Sequence, residues 1–322
     1  MLLTIATCLL FSLVSADPPQ ISKYGIIFLP GMGVRVSDNE FQARIKGRIS
    51  SAIDTVANQL WIDYTQQAIV PELFDDSNNQ VVRDSYFSTF AHNNVPVSIQ
   101  FQNGTELNPV IERTLSDGVF NSIKTIQTAQ GSDTKLVYQI SNIDLFSYTI
   151  LAEQEGFAIV TDIDDTIRLS GVAWLPTLYK KSFKDTFEAT KTMPEFFASL
   201  QQNLHIVDSS GRNCAPTFHY LSGSPQQFAP VLQPWLEKVF PPGEMVLPPL
   251  SMSHFGPFGL MKYQSFKVNS ANEIISMFPK RKLILIGDST QFDAEAYATV
   301  YLKNPEKIQC IFIRLSVGFN KQ

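Results

Sequence analysis

The sequence predicts an α/β fold: a parallel sheet with helices on both faces, preceded by a smaller, mainly-β, sandwich-like domain. Three observations carry this. From residue 157 onward, short apolar runs alternate with stretches of helical periodicity, the pattern of strands wound through helices. Between 20 and 150, runs rich in Val, Ile and aromatic residues are punctuated by Gly, Asn, Asp and Pro, which reads as β-structure. The run FAIVTDIDDT (157–166) then ends an apolar strand in two carboxylates, Asp162 and Asp164. Side chains two apart on an extended chain point to the same side, so these carboxylates converge beyond the strand's carboxyl end. That is where open α/β sheets hold their ligands.

In chain order, residues 1–14 are apolar and lead into Ser15 and Ala16, then Asp17, Pro18 and Pro19. Small residues followed by a polar, Pro-rich turn predict a signal peptide over 1–16, cleaved after Ala16, and hence a secreted, extracellular protein. The stretch carries no Lys or Arg, but it is short for a bilayer span of ~20 residues. Residues 17–150 form the expected β domain, with strands at 24–29, 41–49, 95–101, 120–127 and 135–140. One helical insertion is expected at 52–70, where Ile53, Val56, Ala57, Leu60 and Tyr64 recur at helical spacing. His92 stands alone and reads as a surface residue. Residues 151–322 form the α/β domain. Its expected strands are 157–161, 217–221, 282–287 and 308–313, and its helices 193–202, 225–239, 268–278 and 293–302.

The 322 residues suit two ordinary domains. Hydrophobic residues at 44% and charged residues at 17% exclude a disordered chain. A net charge of −5 argues against nucleic-acid binding through a basic surface. Cys8 leaves with the leader, and Cys214 and Cys310 either form one disulfide or stay as inert thiols. The sequon NGT at 103–105 adds weak support for secretion.

Three further elements end at suggestive places. The strand at 217–221 runs into Ser222, Gly223, Ser224 and Pro225, which offers a hydroxyl and backbone N–H groups to a phosphate. The strand at 282–287 ends in Asp288, with Asp293 following; Asp288 could ligate a metal or cap a helix. Lys267 opens a helix between them and could reach the same point.

The order D-x-D-x-T, strand-Ser, Lys, strand-Gly-Asp-x4-Asp resembles the haloacid dehalogenase phosphohydrolase superfamily. The texts VTDIDDTI (160–167), FHYLSGSP (218–225), ILIGDS (284–289) with Asp293 and Tyr297, and IFIR (311–314) narrow this. They resemble the catalytic domain of the fungal actin-patch phosphatidate phosphatases, relatives of the lipins. The resemblance covers 157–315 and implies a haloacid-dehalogenase-like Rossmannoid sheet. It implies an Mg2+-dependent phosphatase that hydrolyses a phosphomonoester, phosphatidate to diacylglycerol, through an aspartyl phosphate. Asp162 is then the nucleophile and Asp164 the acid/base. Thr166 and Ser222 bond the phosphoryl oxygens, and Lys267 neutralises charge. Mg2+ sits on Asp162, the backbone carbonyl of Asp164, and Asp288, with Asp293 a direct or water-mediated partner.

The expected partner is thus a phosphorylated lipid or a small phosphomonoester, with peripheral membrane contact and no nucleic acid. A basic, aromatic flap (Lys180, Lys181 and Lys184 near Trp174, Leu175, Leu178 and Phe183) could greet an anionic headgroup or be a solvated helix with one buried side. The apolar stretch at 248–261 could meet a membrane interface or be covered by the neighbouring domain. Two other readings compete: a secreted phosphatase for soluble phosphomonoesters, and a non-catalytic lipid- or carbohydrate-binding protein. The second conflicts with a constellation in which every polar position is intact.

Overall fold

The computed structural model describes residues 24–51, 96–101, 110–115, 118–127, 135–140, 146–249 and 259–316. The leader at 1–16, the helical insertion at 52–70, His92 and the sequon lie outside the described residues.

Eight strands build the first sheet: β1 (Tyr24–Leu29), β2 (Gly31–Ser37), β3 (Glu40–Ser51), β4 (Pro96–Phe101), β5 (Val110–Arg113), β6 (Val119–Gln127), β7 (Lys135–Ile140) and β8 (Phe146–Ala152). Their order is β1-β3-β2-β8-β7-β4-β5, with β6 on the far side of β3. The long strand β3 organises it. β6 pairs along one edge of β3, while β2 and β1 share the other. All eight strands therefore join one hydrogen-bonded sheet that curls until β5 comes near β6. Among the described residues, the sandwich-like region expected from the sequence is thus one curled sheet: alternating apolar residues report a buried face but do not say whether a second sheet covers it or the same sheet curls over.

Five parallel strands build the second sheet: β9 (Phe157–Asp162), β12 (Thr217–Leu221), β13 (Glu244–Val246), β14 (Lys282–Asp288) and β15 (Ile308–Arg314), in the order β13-β12-β9-β14-β15. A small hairpin, β10 (Ile206–Val207) and β11 (Asn213–Cys214), occupies the segment before β12. The helices are α1 (Leu175–Tyr179), running into a wider turn at Lys180–Lys184, then α2 (Met193–Asn203), α3 (Ala229–Val239), α4 (Gly259–Met277) and α5 (Asp293–Lys303). α4 starts nine residues before the expected 268, because Leu260 and Met261 of the apolar stretch already belong to it. β13 was not expected, since three residues are too few to show a period.

The alternation of β9 sorts its side chains between two cores. Ala158 and Val160 pack with Val268, Ala271, Ile274, Tyr297 and Val300 of α4 and α5. Ile159 faces the other way, among Phe197, Phe218, Tyr220, Leu232 and Leu236. The first sheet enters both cores, Met32 and Val34 in the former and Ile27 and Leu29 in the latter. The two sheets thus share buried apolar surface. Cys214 and Cys310 are both unpaired thiols.

A buried ion cluster crosses between the sheets. The odd positions of β3, Phe41, Ala43 and Ile45, are buried and apolar; the even positions, Arg44, Lys46 and Arg48, are buried and cationic. Lys46 Nζ donates to Glu244 Oε1 at 2.7 Å and to the Met245 carbonyl at 2.8 Å, and Arg44 Nη1 lies 3.4 Å from the same carboxylate. Glu244 Oε2 is 3.0 Å from His219 Nδ1. Burial opposes ionisation of Glu244, but Lys46, the His219 bond and Arg44 outweigh it and hold the carboxyl far below its usual range. Burial pulls Lys46 down, with Glu244 opposing, and it pulls His219 below its ordinary value.

Lys46→Ala leaves Glu244 short of its closest cation, and loss of about 3 kcal/mol of stability is expected, read from the urea midpoint. Acid should act in the same direction. The folded forms of Glu244 and His219 bind protons less readily than the unfolded forms. Their contributions are present at neutral pH and are lost as pH falls, from about 6.5 downward for the histidine and below about 4.3 for the glutamate. A urea midpoint that stays level from about pH 7 to about pH 4 would contradict this.

Candidate active site

Parallel pairing brings three strand ends to one edge. Leu221 of β12 stands opposite Asp162 of β9, and Ile286 of β14 stands opposite Thr161. Asp162, Ser222 and Asp288 therefore emerge side by side, and all three are fully buried. After Asp164 the chain turns sharply, with Asp165 in the left-handed region at φ 57. Asp165 turns its carboxylate away from the site and accepts from the N–H groups of Ser170, Gly171 and Val172 at 2.8–2.9 Å. The Ile167 and Arg168 N–H groups both return to the Ile163 carbonyl, at 3.0 and 2.9 Å, which brings Thr166 and Arg168 back over the strand end.

One knot of side chains forms around Asp162. Lys267, on α4, lies 2.8 Å from Asp162 Oδ1 and also pairs with Asp293 at the start of α5. The Lys267–Asp162 contact is a buried ion pair, so the ammonium answers two carboxylates at once. Thr166 Oγ1 donates to Asp162 Oδ2 at 3.0 Å and lies 3.3 Å from Asp288 Oδ2. Asp288 Oδ1 accepts from the backbone and hydroxyl of Thr290, and the Asp288 N–H donates to Asp293 Oδ2 at 3.1 Å. Asp293 reaches this close because residue 287 is glycine; a Cβ there would stand 2.6 Å from the Asp293 side chain.

Carboxylate oxygens of Asp162, Asp288 and Asp293 lie within 4.8 Å of one another, all buried. Burial pushes the Asp162 carboxyl well above its usual range; Lys267 opposes this, and Asp293, Asp288 and Asp164 add to it. Burial likewise raises Asp288, against the hydrogen bonds from Thr290. Burial works against the Lys267 ammonium, but Asp162 and Asp293 overcome it and hold its pKa above the ordinary lysine value. Three carboxylates against one lysine form an oxygen-rich donor set short of positive charge, which fits a hard divalent cation.

A second knot forms around Asp164. Its Oδ1 accepts from Arg168, and its Oδ2 accepts from Ser222 Oγ at 2.7 Å. Ser222 Oγ in turn accepts from the Ser224 N–H at 2.9 Å. Burial alone would raise Asp164, but Arg168 and the Ser222 bond outweigh it and keep the carboxyl below its usual range. The two carboxylates of the motif are thus pushed apart, Asp162 up and Asp164 down.

All seven residues singled out in the sequence, Asp162, Asp164, Thr166, Ser222, Lys267, Asp288 and Asp293, meet at this edge. The hydroxyls of Thr166 and Ser222, expected on phosphoryl oxygens, donate here to carboxylates. The side chain of Asp164 stands apart from the three-carboxylate cluster. Sequence reasoning missed Arg168; its place four residues after Asp164 was the only signal. The flap has a buried aromatic side, with Tyr179 stacked on Phe183 at 4.7 Å, while Lys180 and Lys181 pair with Asp185 and Glu188. Trp174 is exposed.

Residues 157–315 match the family described as phosphatidate phosphatase APP1, catalytic domain. Phosphatidate phosphatase APP1 of Saccharomyces cerevisiae is 32% identical over 162 residues, which cover 49% of this chain and 26% of that protein. An uncharacterized protein of Schizosaccharomyces pombe is 27% identical over 168 residues, covering 50% of this chain and 26% of its own length. The chain thus spans about a quarter of the length of these relatives. A ferredoxin-NADP+ reductase structure from Plasmodium falciparum aligns over 91% of this chain and 96% of that one at 7% identity, and its TM-score of 0.18 carries no weight. By this match and this identity, residues 157–315 resemble the catalytic domain of that phosphatidate phosphatase family.

Proposed function

We propose that the chain is an Mg2+-dependent phosphatase that hydrolyses a phosphomonoester, with phosphatidate as substrate and diacylglycerol as product, through an aspartyl phosphate on Asp162. The observation that carries this is the buried group of Asp162, Asp288 and Asp293 around Lys267, at the carboxyl end of a central parallel strand. The relative's name supplies the substrate class, and the geometry is consistent with it.

A carboxylate oxygen of Asp162 attacks phosphorus as the bond to the ester oxygen breaks. Asp164, having taken a proton, delivers it to the departing alkoxide. Water then attacks the phosphorus of the aspartyl phosphate and passes a proton to Asp164. Inorganic phosphate leaves, and Asp162 is restored. Lys267, paired with Asp162, would screen the nucleophile from the incoming phosphate, and the Ser222 and Thr166 hydroxyls, now on carboxylates, would turn to its oxygens. Asp162, Asp288 and the backbone carbonyl of Asp164 would hold the Mg2+, backed by Asp293. The ion would supply the positive charge that lets a dianionic phosphate approach these carboxylates. A leader ending at Ala16 would place this chemistry outside the cytosol, and secreted protein should then begin at Asp17.

Asp162→Asn should abolish phosphate release from phosphatidate while the protein stays folded by circular dichroism. Failure of the unmutated protein to release phosphate from phosphatidate vesicles or from any soluble ester in a panel would sink the proposal; turnover of soluble esters alone would move the substrate class. Independently of activity, Mg2+ should raise the thermal midpoint of the wild type. The stabilisation approaches about 2.7 kcal/mol at a hundredfold excess over Kd. Asp288→Asn should remove most of that rise.

A further inference from the structure

Arg168 is among the largest side chains fully closed off from solvent. Its Nε and Nη2 donate to Asp164 Oδ1, at 3.1 and 2.5 Å. The guanidinium lies over Phe187 and Phe228, 4.7 and 5.5 Å from the ring centroids, and Nη2 is 3.4 Å from Ser182 Oγ. On the other oxygen of Asp164, Ser222 Oγ donates at 2.7 Å and Ser224 Oγ at 3.3 Å. Two donors thus bear on each oxygen, so both the plane and the rotation of the carboxylate are set. Burying a guanidinium is costly unless it is paired, and an apolar side chain would fill this aromatic pocket at lower cost. Packing alone therefore does not account for an arginine here.

A carboxylate that only accepts hydrogen bonds is arranged as a base. We infer that Arg168 is a positioning residue that holds Asp164 as the carboxylate taking the proton from the attacking water, so that it serves hydrolysis of the aspartyl phosphate more than its formation. The inference rests on the aspartyl-phosphate reading above. In that step the water oxygen bonds to phosphorus, the bond from phosphorus to Asp162 breaks, and one water proton passes to Asp164. The Arg168 charge and its fork keep the accepting oxygen in place.

p-Nitrophenyl phosphate separates the two half-reactions, because nitrophenolate leaves without needing an acid. Arg168→Lys keeps the charge and loses the fork. Arg168→Gln, run beside it, keeps one donor without the charge. Wild type and both variants are mixed with the ester and Mg2+ in stopped flow, with burst amplitudes referred to folded protein and intact mass read during turnover. The variants should give a burst approaching one nitrophenolate per folded protein, then turnover about 100-fold slower than wild type, the low end of what a positioned acid–base group contributes. KM should fall with kcat, and a phosphoryl adduct should accumulate on the protein. Wild-type steady-state turnover in either folded variant overturns the inference, as does a loss of burst and turnover together with no adduct, which marks a structural role. A wild type that releases phosphate from neither this ester nor phosphatidate overturns the phosphatase reading, and the inference with it.

Discussion

The site depends on the pairing of β9 between β12 and β14. Three parallel strands end at the same edge, and their last residues are Asp162, Leu221 leading into Ser222, and Asp288. Parallel pairing places these ends together only because each strand is joined to the next through helices on the faces. A slip of one residue in β9 would move Ala158 and Val160 from the α4–α5 core into the other and turn Asp162 away from Asp288. The apolar register of the core and the polar register of the site are therefore the same constraint.

That constraint concentrates negative charge where water is excluded. Asp162, Asp288 and Asp293 face one ammonium, and burial makes each uncompensated carboxylate costly. The two carboxylates of the motif meet this cost differently. Asp164 has a guanidinium of its own and remains a carboxylate, whereas Asp162 shares Lys267 with Asp293 and is pushed up. The proposed division between nucleophile and proton carrier would follow from which cation each carboxylate owns. A cation added to the Asp162 group would reverse the upward push there.

The first sheet bears on this site through β13. Lys46 grips Glu244 and the Met245 carbonyl on that strand, and the next residue, Val246, accepts the Ser222 N–H at 3.2 Å. Ser222 then holds Asp164. A line of direct bonds thus connects the first sheet to Asp164. The shared cores make the two sheets one packed body, whatever independence their sequence grammars imply.

Much of the site was legible because its chemistry is local. Asp162 and Asp164 declare themselves by a two-residue spacing at a strand end, and Ser222 and Asp288 by apolar runs that stop at polar residues. The strands of the second sheet were legible for the same reason, since a buried parallel strand is a continuous apolar run bounded by turns. The curl of the first sheet was not, because a period of two reports which face is buried and not what buries it. Nor were Arg168 and Glu244. A charged residue in a sequence reads as a surface residue until its partner is known, and Lys46 and Glu244 are 198 positions apart. The sequence by itself determined which polar groups gather at the strand ends and the order in which they come. Only the tertiary structure decided which cation answers which carboxylate, because burial makes each charge depend on partners that chain distance does not reveal.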